Sequence, residues 1–269
     1  MDKKQGLQQT FDCVAKGYDH PALSFFPETA KRMIQYLGSS ESTKVQLLDV
    51  CTGTGVVAIE AASQHSNIAV TGIDLSSGML AEAQLKANQQ GLDNISFQQM
   101  DLDHLTFADE AFDVATCSFG LFFLDDMKQA LSNIKSKVKA SGKIAISTFS
   151  EGSFEPMSVL FLELYESFGY EVPPLSWKQI TTDEQLIALF SSVGIDAVSI
   201  YREPLGFHMT SAKDWWDVVW NAGYRGLLNQ MSDTELASFK EQHLQDIQQL
   251  CDQGESWIDT GVVIAIGAV

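Results

Sequence analysis

The residues best suited to chemistry lie in the segment 45–55. An apolar run ends at Asp49, and the turn that follows contains Cys51, Gly53, Thr54 and Gly55. Glycine permits a tight turn with positive φ and lets a ligand approach the main chain. A helix that opens directly after such a turn offers free N–H groups and a positive partial charge to an anionic group. The segment therefore predicts a site for a nucleotide-type cofactor.

Two cofactors fit this pattern. Gly53, Gly55 and Ala58 match the GxGxxG/A fingerprint of dinucleotide sites, and Asp74 lies about twenty residues further on, where an acid that binds the ribose is expected. These residues alone would suggest NAD. The alternative is S-adenosylmethionine (AdoMet), which also carries a ribose.

Three further residues favour AdoMet. A carboxylate at Asp49 suits the α-ammonium group of a methionine moiety and would repel a pyrophosphate. Asp101 follows the next strand-like run and is placed to accept a hydrogen bond from an adenine amino group. Met79 lies five residues after Asp74 and is placed to pack on an adenine face.

With these motifs the sequence resembles the class I AdoMet-dependent methyltransferases, and among them the ubiquinone/menaquinone biosynthesis C-methyltransferase group. The resemblance covers roughly residues 11–150 and is much weaker over 151–269. The matching stretches, in the family's order and spacing, are Phe11-Asp12-x-Val14-Ala15-x-x-Tyr18-Asp19, Leu48-Asp49-Val50-Cys51-Thr52-Gly53-Thr54-Gly55, Gly72-Ile73-Asp74-Leu75-Ser76-x-x-Met79-Leu80, Asp101-Leu102, the run from Phe112 to Leu121, and Ala140-Ser141-Gly142-Lys143.

The resemblance implies a seven-stranded, mostly parallel Rossmann-like methyltransferase sheet with helices on both faces, and AdoMet as cofactor. The cofactor-binding residues that it implies are Tyr18, Asp49, Cys51, Gly53, Thr54, Gly55, Asp74, Leu75, Met79, Asp101, Leu102 and Ser118.

The chain departs from the family's pattern at two places. Cys51 stands where the family has the first glycine of its acid-x-Gly-x-Gly-x-Gly motif. Phe122 and Phe123 stand where the quinone-modifying enzymes usually carry Arg-Asn. The second departure replaces a polar pair near the acceptor with two apolar rings, and it favours a hydrophobic or aromatic acceptor over a polar one.

Composition excludes several classes of function. The 269 residues have a formal net charge of -18, and no lysine or arginine cluster exceeds two adjacent residues, so we expect no nucleic-acid partner. The four cysteines are scattered, which predicts neither a disulfide framework nor a metal site. No apolar run approaches eighteen residues, so we expect no integral membrane segment and a cytoplasmic location.

The predicted elements alternate between strand and helix, as in a parallel sheet covered on both faces. The predicted strands are 46–50, 69–74, 95–100, 112–118, 143–149, 197–203 and 257–266, and the predicted helices are 56–64, 78–90, 126–138 and 182–193. By resemblance, the last two strands would form the antiparallel pair that closes the sheet. We predict one methyltransferase domain over 1–269, with a helical cap at 1–42, a cofactor-binding core at 43–150, and lid or substrate insertions at 150–176 and 208–254. The helix at 182–193 opens with the capping box Thr182-x-x-Gln185, and two helices are predicted within 208–254, with Ser211-x-x-Asp214 and Ser232-x-x-Glu235 as their N-terminal caps.

Acceptor and catalytic residues carry weaker signals. The predicted substrate pocket contains Phe119, Phe122, Phe123, Trp216 and Trp220, although aromatic stripes such as Trp216, Trp220 and Tyr224 are more often part of a core. His20 and His208 are the candidates for a catalytic base, and both are more often structural. Alignment of the acceptor with the methyl group can supply most of the acceleration, and a base is needed only if the acceptor must lose a proton.

The sequence therefore predicts AdoMet-dependent methylation of a small hydrophobic or aromatic acceptor, with C-, O- and N-methylation all open. Two alternatives come from other classes. One is a catalytically silent AdoMet-binding protein, and the other is an NAD-dependent oxidoreductase, against which Asp49, Asp101 and the terminal strand pair argue. The oligomeric state is not defined by the sequence.

Overall fold

The computed structural model describes residues 3–38 and 44–269. Over these residues a seven-stranded sheet has the order β3-β2-β1-β4-β5-β9-β6, and a second sheet pairs β7 with β8. The strands are β1 (Val45–Val50), β2 (Ile68–Asp74), β3 (Ile95–Gln99), β4 (Phe112–Ser118), β5 (Val138–Phe149), β6 (Val198–Glu203), β7 (Gly206–His208), β8 (Trp257–Asp259) and β9 (Val262–Ala268).

Helices connect the strands and extend the domain beyond the sheet. They are α1 (Lys3–Val14), α2 (Phe25–Leu37), α3 (Val56–Gln64), α4 (Ser77–Gln89), α5 (Met127–Lys137), α6 (Met157–Ser167), α7 (Asp183–Ser191), α8 (Ala212–Asn221), α9 (Arg225–Leu228) and α10 (Asp233–Asp252).

The first five strands are parallel, and β9 is antiparallel to both β5 and β6. This arrangement confirms the predicted fold class, including the antiparallel closure of the sheet. Because parallel strands end at the same edge, the register brings the ends of β1, β2 and β4 together: Asp49 pairs with Gly72 of β2 and with Thr116 of β4. Ligands of open α/β sheets bind at this edge.

The burial of β1 fits its place as an interior strand, between β2 and β4. Leu47, Leu48 and Val50 are at most 2 % exposed, as expected for a strand covered by helices on both faces. Helix α2 packs mainly on α3, and it buries Phe25, Ala30 and Met33. The buried aromatic residues then continue from α2 across β5 to α6 and α8.

Helix starts follow the sequence signals closely. Thr182, Ser211 and Ser232 each form a capping box with the residue three positions later, and Asp126 accepts a hydrogen bond from the backbone N–H of Gln129. These caps satisfy N–H groups that the first helical turn leaves free. They depend only on neighbouring residues, which is why the sequence predicts them.

Two predicted elements are wrong. The strand predicted at 257–266 is divided in two, because Asp259 turns the chain by accepting a hydrogen bond from the N–H of Gly261. The first half, β8, pairs with β7 in the small sheet. The insertion 208–254 contains three helices rather than two, since α8 ends at Asn221 and the next helix begins at Arg225. Tyr224 therefore does not continue the stripe of Trp216 and Trp220 on one helix.

The predicted boundary between cap and core, at 42–43, lies outside the described residues. Of the residues on either side of it, 3–38 contain α1 and α2, and 44–150 contain the first five strands. Within the described residues, no helix is both long and apolar enough to cross a membrane.

Candidate active site

A cavity of about 350 Å³ opens at the carboxyl ends of β1, β2 and β4. Helix α1 covers it, and the segment after β4 closes one side. The predicted site residues that line it are Tyr18, Asp49, Cys51, Gly53, Thr54, Asp74, Leu75, Met79, Asp101, Leu102, Ser118, Phe119 and Phe123. The fold thus gathers residues from five separate parts of the sequence around one space.

The glycine turn after β1 forms the floor of the cavity. Gly53 has φ of +55°, and a Cβ built on it would meet no protein atom within 4 Å, so a side chain there would project into open space beside the turn. Gly55 has φ of +79° and packs inward, where a Cβ would come within 3.0 Å of Ala83 and 3.1 Å of Phe97. Gly53 keeps the floor open to a ligand, and Gly55 lets the turn pack on α4 and β3.

Cys51 also adopts a left-handed conformation, with φ of +53°. Its side chain lies against Gly120, where a Cβ would be 2.4 Å from the Cβ of Cys51 and 3.0 Å from its Sγ. The missing side chain of Gly120 therefore makes room for the thiol that replaces the family's glycine. A hydrogen bond with Cys117, together with burial, raises the pKa of the Cys51 thiol well above its usual value, so this thiol stays protonated.

Asp49 is 1 % exposed at the end of β1. Its two carboxylate oxygens accept hydrogen bonds of 2.6 Å from the hydroxyls of Thr52 and Thr116. Burial raises the pKa of Asp49 to about 6, against the opposing effect of these hydrogen bonds. The carboxylate is ionised at neutral pH, and no cationic side chain of the described residues pairs with it.

Asp74 is held at the end of β2 by the main chain. Oδ2 accepts a hydrogen bond of 2.8 Å from the N–H of Gly53, and Oδ1 accepts one of 2.9 Å from the N–H of Ser76. Burial raises the pKa of Asp74, although these N–H groups oppose the shift. The two bonds orient the carboxylate and leave each oxygen with capacity for another donor.

Helix α1 is fastened over the cavity by contacts at both of its ends. Lys4 donates to Asp101 at 2.7 Å and also pairs with Asp103, while Lys3 pairs with Asp125. At the other end, Asp12 accepts hydrogen bonds from the hydroxyl of Ser76 and the N–H of Gly78 at the start of α4. Burial raises the pKa of Asp101, but the bonds from Lys4 and from the N–H of Asp103 outweigh it and lower the pKa overall.

Aromatic rings also line the cavity; they form an aromatic wall that consists of Phe11, Tyr18, Phe26, Phe119 and Phe123. Tyr18 stacks on Phe26 with ring centroids 5.0 Å apart, and Phe119 packs edge-on against Phe26 at 5.2 Å. Phe11 meets Phe123 edge-on at 5.3 Å. Burial raises the pKa of Tyr18, with Asp74 and Asp19 contributing, so its phenol stays protonated.

Besides Gly55, whose turn packs inward, five predicted residues lie away from the lining of this cavity. His20 accepts a hydrogen bond from the N–H of Ala22. His208 lies in β7 of the small sheet, within hydrogen-bond distance of the Ser256 hydroxyl. Phe122 is 2 % exposed and packs into the core, beside Phe149. Trp216 and Trp220 stack on each other in α8. The geometry of the described residues therefore gives these five no contact with the cavity.

Sequence reasoning missed Lys4, Phe11 and Phe26 as parts of the site, and it missed Thr116 as a partner of Asp49. Phe11 lies in a stretch that the resemblance covers, but nothing local shows that its ring turns toward the cavity. The signal for Thr116 was a hydroxyl within the apolar run from Val114 to Cys117, since a buried hydroxyl requires a hydrogen-bond partner.

Comparison with known proteins identifies the family to which the chain belongs. The profile of the ubiE/COQ5 methyltransferase family matches residues 1–193. The chain belongs to this family. One relative, a ubiquinone/menaquinone biosynthesis C-methyltransferase from Geotalea daltonii, is 33 % identical over 178 residues, which are 65 % of this chain and 74 % of that protein. Another, an aklanonic acid methyltransferase from a Streptomyces species, is 30 % identical over 192 residues, 70 % of this chain and 84 % of its own length.

Solved structures agree on the fold. The YcgJ protein of Bacillus subtilis matches with a TM-score of 0.60 and 19 % identity, covering 90 % of this chain and 97 % of its own. A phosphoethanolamine N-methyltransferase of Haemonchus contortus, solved with S-adenosylhomocysteine, matches with a TM-score of 0.61 and 16 % identity, covering all of this chain and 60 % of that one. At these identities the likeness shows the methyltransferase fold.

The family and the fold establish that this protein is an AdoMet-dependent methyltransferase. The site itself fits the cofactor. The turn at Gly53 leaves open space for a ligand. The carboxylate of Asp49 is buried, that of Asp74 is half-buried, and neither has a cationic partner among the described residues. The ammonium group of AdoMet would supply a counter-charge to one acid, and its two ribose hydroxyls would supply hydrogen-bond donors to the other.

Proposed function

We propose that AdoMet binds along the ends of β1, β2 and β3, and that the aromatic wall holds a small acceptor with a sizeable apolar ring. AdoMet supplies an activated methyl group when bound. The observation that carries this proposal is that a single cavity is lined both by carboxylates at the strand ends and by aromatic rings that contact one another. The carboxylates, which we call the acidic side, suit a cation with hydroxyl groups, and the rings, which we call the aromatic side, suit an apolar ring.

On the acidic side, each proposed contact follows from a free acceptor. Asp49 receives the ammonium group of the methionine part, because its ionised carboxylate lacks a counter-charge. Asp74 receives the ribose hydroxyls, because two N–H groups already aim it into the cavity. Met79, Leu75 and Leu102 line the space beyond it, where an adenine ring would pack.

Asp101 has a more limited role in this proposal. Its carboxylate already binds Lys4, so a hydrogen bond to the adenine amino group would share that oxygen or replace the ion pair. Lys4 and Asp101 together therefore close the adenine end of the cavity.

On the aromatic side, the acceptor would be held mainly by burial of its ring. Burying apolar area contributes about 25 cal/mol for each Å², and pairs of aromatic rings add roughly 0.5–1.5 kcal/mol. A polar acceptor would lose its hydration here without compensating hydrogen bonds. Phe123 lines this side where the quinone-modifying enzymes carry a polar residue, so we propose an aromatic acceptor with few polar groups in place of a highly polar one.

The proposed residues would act by positioning. The aromatic wall excludes water and holds the ring of the acceptor, while Asp49 and Asp74 fix the cofactor at the strand ends. Holding two reactants in a reactive arrangement can supply several kcal/mol of the acceleration.

Isothermal titration calorimetry with AdoMet, followed by a methylation screen with radiolabelled AdoMet, tests the proposal. The screen compares naphthols and hydroxynaphthoquinones with small charged amines and phosphorylated alcohols. Turnover of the aromatic group alone is the expected result. Phe123→Ala should raise the KM of the acceptor and leave the AdoMet affinity unchanged, whereas turnover limited to small charged acceptors would contradict the aromatic assignment.

A further inference from the structure

The titratable groups around the cavity are ten side chains: Lys3, Lys4, Tyr18, Asp49, Cys51, Asp74, Asp101, Asp103, Asp125 and Asp126. Methylation of a hydroxyl requires that its proton leave, and enzymes commonly use a positioned base for this purpose. The described lining contains no histidine and no arginine. A base supplied by the described lining would therefore have to be one of these ten groups.

The acids on the cofactor side already take part in hydrogen bonds or ion pairs. Asp49 accepts from two threonine hydroxyls, and Asp74 accepts from two main-chain N–H groups. In the proposed function both of them bind AdoMet. Asp101 and Asp103 share Lys4 at the far end of the cavity.

The acids after β4 are also in use. Asp126 accepts a hydrogen bond of 2.8 Å from the N–H of Gln129 and so caps α5. Asp125 pairs with Lys3, and its side chain is 81 % exposed at the mouth of the cavity. A carboxylate in this position faces water and an ammonium group.

The remaining groups beside the acceptor are protonated. Burial keeps the phenol of Tyr18 neutral by raising its pKa, and the contact with Cys117 does the same for the thiol of Cys51. Lys3 and Lys4 are cations in ion pairs. Among the residues that the structure describes, the acceptor side of the cavity is thus an apolar wall with no free proton acceptor.

We propose that this enzyme takes acceptors whose nucleophilic hydroxyl is ionised before it enters the aromatic wall. This requirement selects aromatic compounds that carry an acidic phenol or enol hydroxyl. This inference rests on the proposed function and narrows its acceptor class. The proton goes to the solvent when the acceptor ionises, so the wall need not receive it.

The apolar wall is suited to this chemistry. In the transfer a bond forms between the acceptor anion and the methyl carbon, the bond from that carbon to sulfur breaks, and the electron pair stays on sulfur. An anion and a cation become two neutral molecules, so removing water favours the reaction. A lone anion would be costly to bury here, whereas beside the positive sulfur it is paired. The acceptor anion is therefore expected to bind after the cofactor.

Proton release measures the ionisation directly. The probe is 6-cyano-2-naphthol, titrated by calorimetry into protein loaded with sinefungin, a non-reactive analogue of AdoMet that has an amine cation in place of the sulfonium. Titrations in two buffers with different heats of ionisation, below the pKa of the probe, give the number of protons released. We expect close to one proton per probe bound, with the naphtholate absorption band present. Binding without proton release would overturn the proposal, because either a protein group has taken the proton or the neutral form is bound.

Kinetics give a second, independent test. With saturating AdoMet, the pH at which kcat/KM for the acceptor is half-maximal should be lower for 6-cyano-2-naphthol than for 2-naphthol, by the difference between the pKa values of their hydroxyls, because kcat/KM reports the ionisation of the free acceptor. Tyr18→Phe, Asp125→Asn and Asp126→Asn should leave this pH unchanged, whatever they do to the maximal value of kcat/KM. A half-maximal pH that is the same for both probes, or one that moves in any of these variants, would identify a protein base and overturn the proposal.

Two further outcomes separate this inference from the proposed function. If AdoMet binds but neither probe binds or reacts, the acidic aromatic acceptor is wrong while the cofactor assignment stands. If AdoMet itself fails to bind, the proposed cofactor site is wrong, and the inference fails with it.

Discussion

The contact between Cys51 and Gly120 allows a sharp test of how the cofactor turn is built. In Gly120→Ala the added Cβ would lie 2.4 Å from the Cβ of Cys51 and 3.3 Å from the Sγ of Cys117. Gly120 has φ of -107°, a conformation that alanine adopts readily, so the cost arises from overlap alone. Overpacking of a well-packed core typically costs about 1–3 kcal/mol, and we expect the free energy of unfolding to fall by that amount.

Cys51→Gly should rescue this variant. It removes both atoms nearest to the new methyl group and relieves a left-handed backbone that costs roughly 1–2 kcal/mol for a residue with a side chain. Glycine also lowers the free energy of unfolding by about 0.5–1 kcal/mol, because the unfolded chain has greater conformational freedom at a glycine. The single change Cys51→Gly should therefore be close to neutral, and the double variant should be more stable than Gly120→Ala by about 1–3 kcal/mol.

Urea unfolding under reducing conditions, followed by circular dichroism, gives the four stabilities of this double-mutant cycle. Gly223→Ala is the matched control, because a Cβ there meets no atom within 4 Å, and its stability should change by less than about 0.5 kcal/mol. Additive effects of the two substitutions would refute the reasoning. In that case Cys117 or the main chain, and not Cys51, would be what excludes a side chain at Gly120.

Three further predictions concern the cofactor site and the helical insertion. Asp74→Ala should weaken AdoMet binding by tenfold or more in calorimetry, because buried ribose hydroxyls left without acceptors cost on the order of 1–3 kcal/mol; unchanged affinity would place the ribose elsewhere. AdoMet affinity should fall as the pH drops through about 6, since protonation of Asp49 removes the charge that we pair with the ammonium group; in Asp49→Asn the affinity should be weak and lack this step. His243 is buried and accepts a hydrogen bond of 2.8 Å from Trp215, and burial lowers its pKa from 6.5 to about 4. The unfolded chain therefore binds this proton more tightly, and stability should fall by on the order of 3 kcal/mol between pH 6.5 and pH 4; His243→Gln, which keeps an acceptor for Trp215, should lack that part of the pH dependence in urea unfolding.

The sequence alone defines the elements whose geometry is local. The strand that carries Asp49, the glycines of the following turn and the helix that begins at Val56 have the predicted bounds within one residue. The capping boxes at Thr182 and Ser232 also formed as predicted. In each case neighbouring residues satisfy the main chain, so the conformation can be derived without knowing what packs against it.

Elements that depend on partners far along the chain were decided by the tertiary structure. Periodicity could not show that residues 257–266 divide between two sheets, because the division depends on pairing of β8 with β7, about fifty residues earlier. The same applies to Lys4, whose ion pair with Asp101 exists only because α1 lies across the cavity.

The two phenylalanines that follow β4 show most clearly what the sequence determines and what the packing decides. Phe122 and Phe123 are adjacent and chemically identical, yet Phe122 is buried in the core while Phe123 faces the cavity. They lie in a single 3₁₀ turn, Leu121–Phe123, in which successive side chains point in different directions. The sequence determines that two aromatic residues follow β4. Packing of α1 against Phe123 and of β5 against Phe122 decides which ring faces the cavity, since a buried side chain takes the direction in which neighbouring atoms leave room for it.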